Sequence, residues 1–177
     1  EIIVLQHPDT TEPHKSKEQI LATLKAVIKT KHNAVIIGPN MDTGNDSINK
    51  IIKKYLKNNS IKFFKSLPRE DYLGLLNNCK LLIGNSSSGI IESTLFKIPV
   101  INIGNRQKGR ERGPNVIDVE KFSQTLISVA IKKALSVNKS TLKIKHVYGN
   151  GLSAVKITKY LEKINIEQSL LRKEIAY

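Results

Sequence analysis

The chain has 177 residues, 40% hydrophobic and 25% charged, with a net charge of +14, which suits one domain built on a single sizeable core. No apolar run approaches the roughly 18 residues that span a bilayer, and no basic-then-apolar leader is visible. The charge invites a nucleic-acid reading, but the lysines are spread over several helical segments as solvated faces, and aromatics at 5% leave few stacking platforms. No nucleic-acid motif accompanies the charge, so neither nucleic acid nor membrane is expected as a partner. Cys79 is the single cysteine, so an intrachain disulfide is impossible, and a reducing, cytoplasmic setting is expected.

In chain order, short apolar strands alternate with amphipathic helices. The first strand is expected over about 2–6, followed by a helix from Ser16, where Ser16-x-x-Gln19 reads as a capping box and Ile20, Leu24 and Val27 face inward. A strand over about 34–38 leads to a helix after Asp46, with Ile48, Ile51, Ile52 and Tyr55 on one stripe. A third strand, about 61–65, precedes a helix that starts after Pro68 and turns Tyr72, Leu73 and Leu76 inward. Strands near 80–84, 99–103 and 115–118 are separated by a helix over about 90–97 and followed by one over about 120–136, with Phe122, Leu126 and Val129 inward. Residues 139–150 read as a surface connection. A helix from Gly151 to Ile164 should bury Ala154, Ile157, Leu161 and Ile164, and a short helix is expected in the tail from Glu167.

Strands that are apolar nearly throughout, joined by helices, imply an α/β fold: a Rossmann-like, doubly wound parallel sheet with helices on both faces. Such sheets bind ligands outside the carboxyl ends of their strands, where the strand order reverses. Several chemistry-bearing segments directly follow a strand: His7, the turn Gly38 to Asp42, Lys65 to Leu67, Gly84 to Ser88, and Ile103 to Arg110.

The richest of these is Leu81-Leu82-Ile83 running into Gly84-Asn85-Ser86-Ser87-Ser88-Gly89 and then an apolar helix carrying Glu92. A strand, a Gly/Ser turn and a helix start aim free N–H groups at one point, which suits a phosphate or diphosphate. Ser-rich turns also cap helices without binding anything. Asn105-Arg106-Gln107-Lys108-Gly109-Arg110 brings cations to the same edge. The loop lacks the Lys of a P-loop, no Gly-x-Gly-x-x-Gly follows a strand, and no His or Cys spacing suggests a metal. No metal and no cofactor is expected.

GNSSSGIIES followed by PVINIGNRQKGRERGPNV, with Leu5-Gln6-His7-Pro8-Asp9-Thr10-Thr11-Glu12, Gly38-Pro39-Asn40-Met41-Asp42 and Val147-Tyr148-Gly149-Asn150-Gly151, resembles the UDP-N-acetylglucosamine 2-epimerases, specifically their hydrolysing branch. The resemblance runs over nearly the whole chain. It implies one half of a two-domain GT-B architecture, with residues 1–177 as a single nucleotide-sugar-binding domain. The strand-first start at Glu1 is expected for a C-terminal half excised from a larger enzyme, whose N-terminal domain supplies the proton-transfer carboxylates. By the same resemblance His7 is the catalytic residue, facing the phosphate and sugar, and Asn40 binds UDP. The backbone around Ser66 pairs with uracil, Ser86 and Ser87 bind the diphosphate, Glu92 meets the ribose hydroxyls, and Arg106 binds the phosphate side. Ser88 is expected to cap the helix, and Arg110 and Arg112 are further phosphate or interface candidates. The implied ligand is a UDP-sugar, the implied product N-acetylmannosamine for sialic acid synthesis, and the implied assembly a homo-oligomer. A non-hydrolysing epimerase, a GT-B glycosyltransferase, and a basic polyanion-binding module remain as alternatives.

Overall fold

The computed structural model describes residues 1–144, 148–149, 151–166 and 170. Six parallel strands, β1 (Ile2–Leu5), β2 (Ala34–Ile37), β3 (Ile61–Phe64), β4 (Leu81–Gly84), β5 (Val100–Ile103) and β6 (Val116–Val119), form one sheet in the order β3-β2-β1-β4-β5-β6. The strand order reverses between β1 and β4, which pair from Ile2 with Leu81 to Leu5 with Gly84. The fold is therefore the expected Rossmann-like α/β sheet.

The period of two along each strand divides the core between the two faces. Ile2, Val4, Leu81, Ile83, Ile101 and Ile103 point to one side. There they meet α1 (Ser16–Lys29), α2 (Asn45–Tyr55) and α5 (Gln124–Leu135) through Ile20, Leu24, Ile48, Ile52, Ile127 and Ile131. Ile3, Leu5, Leu82 and Val100 point to the other side, against Leu76 of α3 (Arg69–Asn78) and Ile98, which follows α4 (Glu92–Leu95). Cys79 is buried at the α3–β4 junction, and burial pushes its thiol up to about 11. The contacts divide the chain into two units, Glu1–Val147 and Tyr148–Tyr177.

Four local expectations change. Ser16 is not an N-cap: a 3-10 turn, Pro13–Lys15, runs straight into α1, so Ser16 is already helical and its hydroxyl caps nothing. The helix after β4 is shorter than expected, a 3-10 turn at Ser87–Gly89 followed by the four residues of α4. In α5 the buried stripe is Ile127, Ala130, Ile131 and Ala134, while Leu126 and Val129 are exposed. Within the second unit, α6 (Ser153–Leu161) has no buried residue, so Ala154, Ile157 and Leu161 do not form the inward stripe expected; a single helix cannot bury its own apolar stripe. Apart from residue 170, the expected tail helix over 167–177 lies outside the described residues, as do His146, Val147 and Asn150.

Candidate functional site

The reversal of strand order brings two turns side by side: Gln6 to Asp9 after β1 and Asn85 to Gly89 after β4. Gly84, the last residue of β4 before the second turn, lies tight against the end of β1. Its φ is +149°, and a Cβ placed there would lie 1.9 Å from the Leu5 carbonyl oxygen, so only glycine allows this contact. Beyond it, Asn85 is 1% exposed and ties the turns together. Its Oδ1 accepts the His7 N–H at 2.7 Å and its Nδ2 donates to the His7 carbonyl at 2.9 Å. Its own carbonyl accepts from Gln107 Nε2 at 2.9 Å and Arg106 Nη1 at 3.2 Å, which fastens the loop after β5 to the same point.

The loop after β2 joins through Asn40, whose N–H donates to His7 Nδ1 at 3.0 Å. The Asn40 side chain reaches Asp42 Oδ2 at 2.5 Å, and Asp42 lies 3.9 Å from Arg106. His7 is half-buried. Burial lowers its pKa to about 4, the Arg106 charge acts the same way, and Asp42 opposes both. At neutral pH the ring is uncharged.

Ser86 and Ser87 are half-buried in the turn after β4. Ser86 is extended and its oxygen accepts the Ser88 N–H at 3.3 Å, so it is the cap residue. Ser88 is not the cap: it is buried, and its hydroxyl pairs with the Tyr72 hydroxyl of α3. Burial pushes the Tyr72 phenol up to about 12, despite the stabilising Ser88 contact. Among the described residues, no group accepts a hydrogen bond from the Ser86 or Ser87 N–H. α4, behind them, is only four residues long, so these two peptide groups are the unpartnered donors of the turn. Glu92 opens α4, half-buried, and its charge acts on Tyr72.

Thus His7, Asn40, Ser86, Ser87, Glu92 and Arg106 gather around the β1–β4 reversal. Ser66 is exposed beyond β3 on the same edge, with no side-chain hydrogen bond to the cluster. At about 4.8 Å per strand it sits about 14 Å along the edge from the β4 turn. Arg112 is committed elsewhere: its guanidinium donates to the Gln107 and Arg110 carbonyls and pairs with Asp118 at 2.9 Å, bracing the loop. Arg110 is exposed. Sequence reasoning gave no site role to Asn85 or Gln107, and expected Tyr72 only as an inward-facing residue of α3. Asn85 carried only the general signal of a turn, an amide directly after a strand that ends in glycine, which does not single out its role. Among the described residues no cluster of three or more His, Cys, Asp or Glu side chains could hold a metal ion. None of their helices is long and apolar enough to cross a membrane.

The sequence profile of the UDP-N-acetylglucosamine 2-epimerase family matches residues 1–162. The chain belongs to that family. A Legionella pneumophila relative, a hydrolysing UDP-N,N'-diacetylbacillosamine 2-epimerase, is 33% identical over 99% of this chain and 46% of its own length. A Neisseria meningitidis UDP-N-acetylglucosamine 2-epimerase is 37% identical over 77% of this chain and 36% of its own. The chain therefore spans about half the length, or less, of these curated relatives. In fold, it is similar to the Methanocaldococcus jannaschii UDP-GlcNAc 2-epimerase solved with UDP-GlcNAc and UDP, with a TM-score of 0.71 at 15% identity, covering 91% of this chain and 44% of that one. A second likeness, to a Staphylococcus aureus MnaA–UDP structure, has a TM-score of 0.70 at 16% identity over 93% of this chain and 46% of the other. In this epimerase-family chain, the edge that carries His7, Asn85 and Arg106 is the carboxyl edge at which open parallel sheets take their ligands.

Proposed function

We propose that this chain is the UDP-binding half of a hydrolysing UDP-N-acetylglucosamine 2-epimerase, acting in the cytoplasm as part of a homo-oligomer and feeding sialic acid synthesis. The observation that carries the reading is the convergence of His7, Asn40, Ser86, Ser87, Glu92 and Arg106 on one reversal of strand order. The Ser86 and Ser87 N–H groups and the Arg106 guanidinium, which keeps donors beyond the one given to Asn85, suit the diphosphate. Glu92 suits ribose hydroxyls as an ionised acceptor. The Ser66 segment, about three strand spacings along the edge, suits the base.

In the parent enzyme a base removes the C2 proton, the C1–O bond breaks, and UDP leaves with the electron pair, giving 2-acetamidoglucal. Water then adds across C1=C2, placing hydroxyl on C1 and the proton on the opposite face of C2, and N-acetylmannosamine is released. The carboxylates that move the C2 proton are assigned to a domain outside this chain. This half contributes donors that stabilise charge developing on the departing diphosphate.

A second reading keeps the chemistry and changes the sugar. The identity to hydrolysing diacetylbacillosamine epimerases, 33% to the Legionella protein and 41% to a Campylobacter jejuni one, favours a UDP-diacetamido sugar as the rival substrate. Calorimetry of the 177-residue chain with UDP tests the binding half of the proposal. Arg106→Ala, which removes a charged donor, should cost about 1.5–3 kcal/mol of binding and Lys133→Ala almost nothing. Equal losses at both positions would favour diffuse electrostatics and sink it. Product analysis on the full-length enzyme, with both UDP-sugars, separates free N-acetylmannosamine plus UDP from UDP-N-acetylmannosamine, a diacetamido product or a glycosylated acceptor.

A further inference from the structure

Asn85 makes hydrogen bonds that a residue serving only its own turn would not need. Its carboxamide takes the place of a peptide group, exchanging both hydrogen bonds with the His7 main chain one step beyond the last β1–β4 pair, Leu5 with Gly84. Its N–H donates to the Leu5 carbonyl at 3.3 Å, and its carbonyl holds Arg106 and Gln107. The His7 backbone is therefore held at both its N–H and its carbonyl by a side chain 78 residues away.

The ring is set in the same way. A backbone N–H can only donate, so the 3.0 Å contact from Asn40 requires a lone pair on His7 Nδ1. A neutral imidazole with Nδ1 as acceptor carries its proton on Nε2. Among the described residues nothing pairs with Nε2. We propose that Asn85 is a positioning residue, whose carboxamide fixes the His7 main chain so that the ring, held through Nδ1 by the Asn40 N–H, keeps a neutral Nε2–H free as a hydrogen-bond donor at the β1–β4 reversal. The inference rests on the nucleotide-sugar reading for what Nε2–H meets, namely an oxygen of the departing diphosphate. His7 is then a donor, not a proton acceptor, in the ground state.

The surroundings agree. The titratable groups that act on the ring are Arg106 from the β5 loop, which disfavours a second positive charge, and Asp42 from the β2 loop, which opposes it. Asp42 is itself engaged by the Asn40 amide and lies near Arg106. The β4 turn, Gly84 to Gly89, carries no titratable side chain. Asn85→Asp would keep an acceptor for the His7 N–H, lose the donor to the His7 carbonyl, and add a negative charge beside the ring.

The test is long-range proton–nitrogen NMR of the imidazoles in the 15N-labelled chain from pH 8 to pH 4, on wild type, Asn85→Ala and the near-isosteric Asn85→Asp. Wild-type His7 should be neutral at pH 7 and predominantly the Nε2–H tautomer. Both variants should give a mixed tautomer population and a His7 titration displaced upward by more than about one pH unit, the Asp variant furthest because an opposite charge favours imidazolium. In the full-length enzyme Asn85→Ala should lower kcat on the order of 10²-fold, as small misplacements of a reacting group do, with KM changed only a few-fold. A cationic or Nδ1–H His7 in the wild type would overturn the proposal. So would a tautomer and titration untouched in a folded Asn85→Asp chain, the variant that keeps the test open if Asn85→Ala fails to fold. Calorimetry with UDP on the same wild-type sample separates the two ideas. Failure to bind UDP removes the nucleotide reading and leaves the tautomer result standing, and the reverse holds equally.

Discussion

Acid should weaken this fold through His7 in a way that one substitution removes. The ring has a pKa of about 4 in the fold, against 6.5 for an ordinary histidine. Below pH 6.5 the unfolded chain therefore takes up a proton that the folded chain refuses. The corresponding stability is fully present above 6.5, declines as the pH falls through about 4, and levels off beneath that. At about 1.4 kcal/mol per pH unit the whole effect is about 3 kcal/mol, a sizeable part of the 5–15 kcal/mol that typically separates folded from unfolded chains. The physical origin is loss of hydration on half-burial, the Arg106 charge, and the Asn40 N–H that a doubly protonated ring would have to face. His7→Asn offers an amide oxygen to the Asn40 N–H and does not titrate. Urea unfolding of both chains from pH 7.5 to pH 4, followed by circular dichroism, isolates the term, because carboxylates that titrate in both chains cancel in the difference. The wild type should lose about 3 kcal/mol more than the variant across that range. Parallel pH profiles would refute a neutral, sequestered His7.

Gly84→Ala should prevent folding or cost more than about 4 kcal/mol, since a Cβ would meet the Leu5 carbonyl at 1.9 Å with φ at +149°; thermal melts read this directly. Tyr72→Phe removes the hydroxyl that pairs with Ser88 and should cost about 1 kcal/mol, measured as a lowered melting midpoint. The spectrophotometric titration of the wild-type chain should contain one tyrosine that ionises only near pH 12, absent from the variant. Arg106→Ala should weaken UDP binding by about 1.5–3 kcal/mol. Arg112→Ala should instead speed amide exchange at Arg110 and Asp118 with a smaller effect on affinity, since its donors brace the loop; equal affinity losses at the two arginines would contradict this division.

Much of this protein is decided locally and can be read from the sequence. Strands such as Ile2–Leu5 and Leu81–Gly84, apolar on both faces, have no stable position except inside a sheet covered on both sides. Alternation with helices then makes that sheet parallel and places every turn that follows a strand on one edge, so His7, Asn40, Ser66, Ser86, Ser87, Glu92 and Arg106 were all legible as edge residues. What the sequence left open were choices between partners of comparable local merit. Ser16 matches a capping box, but a preceding 3-10 turn had already made it helical. The stripe of Leu126 and Val129 on α5 competes with Ile127, Ala130, Ile131 and Ala134, and packing along α1 selects the stripe whose small alanines allow close approach. The role of Asn85 was beyond any local rule. An Asn after a strand suits a turn, a cap or a clamp, and only the meeting of two turns 78 residues apart makes it the residue that holds His7. Periodicity and propensity act within one element, whereas a buried amide is decided by whichever donors and acceptors the rest of the chain brings to it, because each must be paired once water is excluded.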